Sequence, residues 1–166
     1  MYAACIQILE PVIQETTRLL QDFGRREAVV YWAGLELAGR WLITTAVCPR
    51  QENTRGSFIC TAGDNARVVQ EISSHRLAIL GQVHTHPGQM VGHSEGDDEW
   101  ATFAFPGFLS VVVPVFGQRG MLPLSICGIH RHEDEFRRLS PGEISRVFSI
   151  VPVSMDQREH RFLFRC

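Results

Sequence analysis

The chain is 166 residues long, 45% hydrophobic and 20% charged, the size and balance of one globular domain with its own core rather than of a disordered or membrane-embedded chain. Sixteen basic and eighteen acidic residues leave a formal net charge of -2, and no long basic block points to a polyanion partner. The nearest approach to one, His130, Arg131, His132, Arg137 and Arg138, is interrupted by Glu133, Asp134 and Glu135 and reads as a solvated charged surface, so no nucleic-acid partner is expected.

In chain order, residues 1–11 carry no basic segment followed by a long apolar one, and no apolar run elsewhere approaches the ~20 residues of a membrane span. With five widely spaced cysteines (Cys5, Cys48, Cys60, Cys127 and Cys166) that form no Cys-x-x-Cys pair, the expectation is a cytoplasmic protein with reduced thiols. Residues 11–23 place Val12, Ile13, Leu19, Leu20 and Phe23 near helical spacing, with Pro11 in the first turn and Gly24 as a stop. Residues 28–33, ending at Gly34, and residues 41–47, ending near Pro49, are β-branched and aromatic and predict a hairpin.

Residues 51–56 read as a polar loop, and residues 66–77 as a helix carrying Val68, Val69 and Ile72 behind Asp64 as N-cap. The apolar run 77–83 predicts a buried strand that delivers His84 at its end. Beyond it come a short helix over 97–103, strands over 108–115 and 124–130, and a helix over 141–149 behind the capping-box pattern Ser140-Pro141-Gly142-Glu143. Val147, Phe148, Ile150, Val151, Phe162 and Phe164 are expected to cover the core. Helices and strands alternate without a repeat or a linker, so the class is α/β in one layered domain.

His84 and His86 stand two apart, so at the end of an extended strand both side chains point the same way and can share one ion. Zinc with an open fourth position needs a third hard ligand, and Glu95, Asp97, Asp98 and Glu99 follow just downstream. Asp97 is the preferred choice, although spacing alone does not single it out. No cysteine lies within twenty residues of the segment, which argues against a closed structural site. Proton transfer from water to a leaving amine also calls for a carboxylate that is not a ligand. Glu27, Glu36, Glu52, Glu71 and the unused acids after Ser94 are the candidates, with Glu27 favoured because it opens a strand. His93 reads as an exposed loop residue, and Thr85 faces away from the ligands into packing.

The run His84-x-His86-Pro87, with seven residues to Ser94 and two more to Asp97, resembles the signature of the JAMM (JAB1/MPN/Mov34) metalloproteases. Residues 26–34, in which a glutamate precedes a glycine by seven positions, resemble the segment that carries that family's catalytic glutamate. Residues 106–114 look like the strand after the motif in bacterial members, and the likeness extends over about residues 8 to 130. Val30 and Trp32 stand where glycine and leucine are frequent.

The resemblance implies one MPN/JAB-type domain over residues 1–166, with a mixed curved β-sheet flanked by helices in a cytidine-deaminase-like layering. It implies one zinc ion per chain on His84, His86 and Asp97, Glu27 as general acid/base, and Ser94 as a hydrogen-bond donor to the tetrahedral intermediate. The implied reaction is hydrolysis of the amide at the C-terminus of a ubiquitin-like protein, as deconjugation or precursor processing. Activating and conjugating enzymes of the same system are the implied partners, and the compact length is similar to prokaryotic members. Alternatives are a JAMM peptidase maturing a sulfur-carrier protein, a non-catalytic module of the same fold, which the intact ligand set disfavours, and a DNA-repair group with similar spacing, which the balanced charge disfavours.

Overall fold

The computed structural model describes residues 5–94, 96–97 and 102–154. In chain order they form β1 (Cys5–Leu9), α1 (Glu10–Gln21), β2 (Val29–Leu37), β3 (Arg40–Val47), β4 (Glu52–Asn53), β5 (Phe58–Ile59), α2 (Ala62–Ser74), β6 (Ala78–Thr85), β7 (Leu109–Val113), β8 (Gly128–His132), β9 (Phe136–Arg138), α3 (Pro141–Val147) and β10 (Phe148–Val151). Eight strands make one mixed sheet in the order β10-β1-β3-β2-β6-β7-β8-β9, and β4 and β5 form a separate two-stranded ribbon. This is the α/β class expected, a mixed sheet flanked by helices. Among the described residues no helix is long and apolar enough to cross a membrane.

The sheet separates two apolar clusters because neighbouring residues of a strand face opposite ways. On one face Ile6, Ile8, Val30, Trp32, Val83, Val111 and Ile129 pack with Val12, Ile13 and Leu20 of α1. Thr16 ties that helix to the sheet by accepting from Trp32 Nε1 at 2.9 Å while donating to Val12 O at 2.6 Å. On the other face Val29, Tyr31 and Ala33 pack with Val68 and Ile72 of α2. β2 is thus buried on both sides, and it forms hydrogen-bonded ladders with β3 and β6.

Several elements differ from the sequence reading. β2 does not end at Gly34 but continues to Leu37, with a register shift between Ala33 and Gly34. A Cβ at Gly34 would lie 2.0 Å from the Leu42 carbonyl oxygen, so glycine serves the close approach of β3 rather than a stop. The stretch 51–56 is not simply a loop, because Glu52 and Asn53 pair with Ile59 and Phe58. α2 starts earlier than expected: Thr61 is its N-cap, and Asp64 is the third helical residue, closing a capping box with it. In the 124–130 stretch, residues Leu124–Ile126 form a 3-10 turn after Pro123, and the strand begins only at Gly128.

β1, β9 and β10 had no strand expectation. They are short and stand at or next to the sheet edges, where three to five residues give little periodicity to read. Near the C-terminal end Val147 and Phe148 do pack against the core, but Ile150 is exposed. Phe162, Phe164, Cys166 and most of the helix expected over 97–103 lie outside the described residues. Cys5, Cys48, Cys60 and Cys127 are free thiols. Gly34→Ala is expected to lower unfolding stability by at least about 2 kcal/mol, since the obstructing atom is backbone; a denaturation midpoint equal to wild type would contradict this reading of the bulge.

Candidate metal centre

His84 sits inside the sheet rather than just past it. It is the seventh residue of β6, paired with Val29 on one side and Val112 on the other, and only 1% exposed. Thr85, expected merely to pack, locks the neighbouring strand: its Oγ1 accepts from Ala28 N at 3.0 Å, and its own N–H donates to Ala28 O at 3.0 Å. His86 continues the strand line, with its N–H on Val113 O at 2.9 Å and its carbonyl accepting from Phe116 N at 2.8 Å. Val115 N in turn donates to Gly88 O at 2.9 Å. Val115 and Phe116 both hold φ near +54°, a left-handed conformation that costs side-chain-bearing residues about 1–3 kcal/mol each. Their two N–H groups clamp the backbone around His86 and Gly88.

The loop after Pro87 returns over the sheet. Gly128 makes this possible, because a Cβ there would stand 1.7 Å from Val91 O. At its far end Ser94 caps a short helical turn: Asp97 N donates to Ser94 O at 3.1 Å and lies 3.2 Å from Ser94 Oγ. The Asp97 carboxylate accepts from Ser94 N at 2.7 Å and from Ser94 Oγ at 2.9 Å. The hydroxyl assigned to the transition state by resemblance is therefore engaged with Asp97 in this structure.

These elements bring His84, His86 and Asp97 together, with one ligand atom from each lying within 4.8 Å of the others. Asp97 Oδ1 is 3.2 Å from His84 Nε2, and its Oδ2 is 3.2 Å from His86 Nε2. His86 Nδ1 faces Met90 O at 3.2 Å; donation there leaves Nε2 as the free ligand atom. Neither ring nitrogen of His84 has a partner in hydrogen-bond geometry, although Nε2 lies close to the carboxylate. A buried nitrogen aimed at a carboxylate and a second imidazole, without a hydrogen bond of its own, is what a shared cation would satisfy.

The electrostatics differ between the two imidazoles. Burial pushes the His84 pKa down against the pull of Asp97, favouring the neutral imidazole that a metal requires. For His86 burial acts in the same direction, but the Asp97 contact and charge outweigh it and raise the value. Burial works against the Asp97 carboxylate as well, yet contacts with His84 and His86 hold it far below the ordinary range.

Glu27 stands two residues ahead of β2 rather than opening it. It is held from both sides: its N–H donates to Thr54 O at 2.8 Å, and its carbonyl accepts from Asn53 Nδ2 at 2.7 Å. It lines the same cleft as His86, Ser94 and Asp97, a space of about 650 Å³. Burial raises its carboxyl pKa, partly offset by His86 and reinforced by Asp97. Glu36 lies on the exposed outer part of β2, and Glu52 and Glu71 are exposed; none of the three lines the cleft. Glu95, Asp98 and Glu99 lie outside the described residues.

Sequence spacing missed the rest of the cleft. Tyr31, Phe58, Ile59, Cys60, Gln82 and Thr102 line it. Tyr31 donates to Asn65 Oδ1 at 2.9 Å, and Asn65 Nδ2 donates to Thr102 Oγ1 at 3.3 Å. Cys60 is distant from the motif in sequence but near it in space. Burial pushes its thiol up to about 11, so without a metal beside it the group stays protonated at neutral pH. Two histidines were also misjudged: His93 is half-buried rather than exposed, and His130 is buried rather than part of a solvated surface. Burial pushes the His130 pKa down to about 4.

Fold and site together define a mixed α/β domain carrying a His-x-His and Ser-x-x-Asp cluster suited to a metal ion. No family model matches the chain. A curated protein of Sinorhizobium fredii, described as a probable metalloprotease, is 32% identical over 96 residues, covering 55% of this chain and 59% of that one. The chain thus spans about six-tenths of the length of that relative. The solution structure of a protein from Desulfitobacterium hafniense shares the fold at a TM-score of 0.64 and 12% identity, over 89% of this chain and 93% of that one. A second solution structure, of a protein from Salinibacter ruber, superposes with a TM-score of 0.55 and 19% identity, over 81% and 88% of the two chains. A JAB1/MPN domain protein from Archaeoglobus fulgidus superposes more loosely, with a TM-score of 0.46 and 12% identity over 82% and 96%.

Gly128→Ala tests how the loop is seated. The substitution is expected to leave the sheet folded by circular dichroism and to weaken binding of a divalent metal by about tenfold or more, as loss of outer support for a ligand does. Wild-type affinity in a folded variant would show that the Val91 contact does not place Asp97.

Proposed function

We propose that this chain is a zinc-dependent peptidase or isopeptidase that hydrolyses the amide at the C-terminus of a ubiquitin-like protein. The observation that carries the reading is the convergence of His84, His86 and Asp97 on one point, with Glu27 on the wall of the same cleft. Two imidazoles and one carboxylate suit zinc with an open position. When bound there, zinc supplies Lewis acidity, lowering the pKa of a water to about 7 and polarising the scissile carbonyl.

The chain's own groups would do the remainder. His84 presents a ring nitrogen that burial keeps from protonation, His86 would give up its proton to the ion, and Asp97 supplies the compensating charge. The Glu27 carboxylate takes the proton from the attacking water and returns it to the leaving amine, a role that its burial-raised pKa favours. Ser94, beside Asp97, is positioned either to steady that ligand or to exchange its hydroxyl contact for the developing oxyanion.

The ubiquitin-like substrate rests on the family resemblance, and the shape of the cleft is compatible with it. An extended tail would run past Gly56, Ser57, Phe58 and Ile59, the tip and second strand of the β4–β5 ribbon that line the cleft, where backbone pairing would give affinity without a folded partner surface. Ile59 is 60% exposed at this wall, an apolar side chain available to substrate. Activating and conjugating enzymes of the same system are the proposed functional partners.

Cleavage of ubiquitin-like fusions and lysine-linked conjugates, with and without chelator, tests the reading. Wild type is expected to cleave at the C-terminal amide, and chelator to abolish cleavage. Glu27→Gln should retain the metal and lose at least about 100-fold in kcat/KM. Equal turnover by Glu27→Gln would remove Glu27 from the mechanism. Trimming of a sulfur-carrier precursor with no cleavage of any conjugate would favour the alternative substrate.

A further inference from the structure

Beneath the motif loop the sheet presents a row of buried polar side chains where an apolar floor would be expected. Tyr31 on β2, Gln82 on β6, Ser110 on β7 and His130 on β8 are register partners in sequence across four adjacent strands, and each is 5% exposed or less. Gln82 precedes His84 by two residues, so the row lies on the face that carries the metal ligands.

His93 rests on this row. Its Nε2 is 2.9 Å from Ser110 Oγ, and the same hydroxyl accepts from Gln82 Nε2 at 3.2 Å. With a donor already supplied by Gln82, the hydroxyl proton is free to point at His93 Nε2, giving a directed chain from Gln82 to Ser110 to His93. The His93 ring also stacks on His130, with centroids 4.0 Å apart and an interplanar angle of 30°, and packs against Phe136 at 4.8 Å. A loop residue is thereby held by β6, β7, β8 and β9 together.

The next residue is Ser94, whose N–H and hydroxyl hold Oδ2 of Asp97. We infer that His93 is a positioning residue for the third metal ligand: its seat on Ser110 and His130 fixes Ser94, and Ser94 fixes Asp97. Without that seat, one end of the loop that carries Asp97 would lose its tie to the sheet, while His84 and His86 would stay in place on β6 and its extension. The inference rests on the metal reading above but not on any substrate.

Cobalt(II) serves as the probe, because its visible d–d bands report ligand geometry without turnover. Ser110→Ala removes the hydroxyl with little change in volume, His93→Phe keeps a ring for the stack but loses the hydrogen bond, and His93→Gln keeps a group able to reach Ser110. Ser110→Ala and His93→Phe are each expected to weaken cobalt binding by about 10- to 100-fold and to alter the d–d spectrum, with His93→Gln recovering much of the affinity. Circular dichroism and the melting profile identify any variant that fails to fold. The inference is overturned if wild type binds cobalt and the folded Ser110→Ala and His93→Phe variants match it in affinity and spectrum. A wild-type protein that binds no cobalt would overturn the metal reading itself, which is a separate result.

Discussion

An imidazole buried in the middle of a β-sheet is the constraint around which this molecule is arranged. His84 is flanked by ladder partners on β2 and β7 and shut away from solvent. Leaving its nitrogens without partners costs about 1–3 kcal/mol. No apolar neighbour can offset that cost, so the chain has to bring a polar group or a cation to it. The sheet therefore cannot be understood as a scaffold to which a site was later added, because one of its central residues is incomplete without the site.

The loop geometry follows from that need. Gly128 gives up its side chain so that Val91 can lie on the sheet, and Val115 and Phe116 accept left-handed backbone to clamp His86 and Gly88. Ser94 and Asp97 close a small capping box whose acid serves at once as helix cap and partner to two imidazoles. Thr85, between the two histidines, ties Ala28 to the motif strand, next to Glu27. Glu27 and the His84/His86 pair are thus tied together at the ends of the paired strands β2 and β6, where sheet geometry sets their separation, whereas Asp97 is brought to them by the loop after Pro87.

Much of this was legible in the sequence because it depends on local pattern. The i, i+2 spacing of His84 and His86, the apolar run before them and the capping signals at Ser140 are short-range features, and the structure places them as read. The choice of Asp97 over its acidic neighbours was not legible from spacing. It depends on a turn set by Ser94 and on a loop height set by Gly128, which lies 31 residues further along the chain. Cys60 and Thr102 enter the cleft from stretches outside the main sheet, through packing that no local pattern encodes. Gln82 and Ser110 did carry a readable signal, as isolated polar residues in otherwise apolar strand runs, one of them in phase with His84. His93 and His130 were misread because a histidine beside charged or loop residues looks solvated until the strand pairing stacks one on the other.

His84, His86 and Asp97 are proposed to bind one metal ion in a three-ligand site with a position left open. X-ray absorption at the zinc edge, on protein loaded with one equivalent of zinc, tests this most directly. Such a site gives a first shell of nitrogen and oxygen at about 2.0–2.2 Å, multiple-scattering features of two imidazoles, and no sulfur at about 2.3 Å. A shell containing thiolate sulfur, or one without two imidazoles, would contradict it.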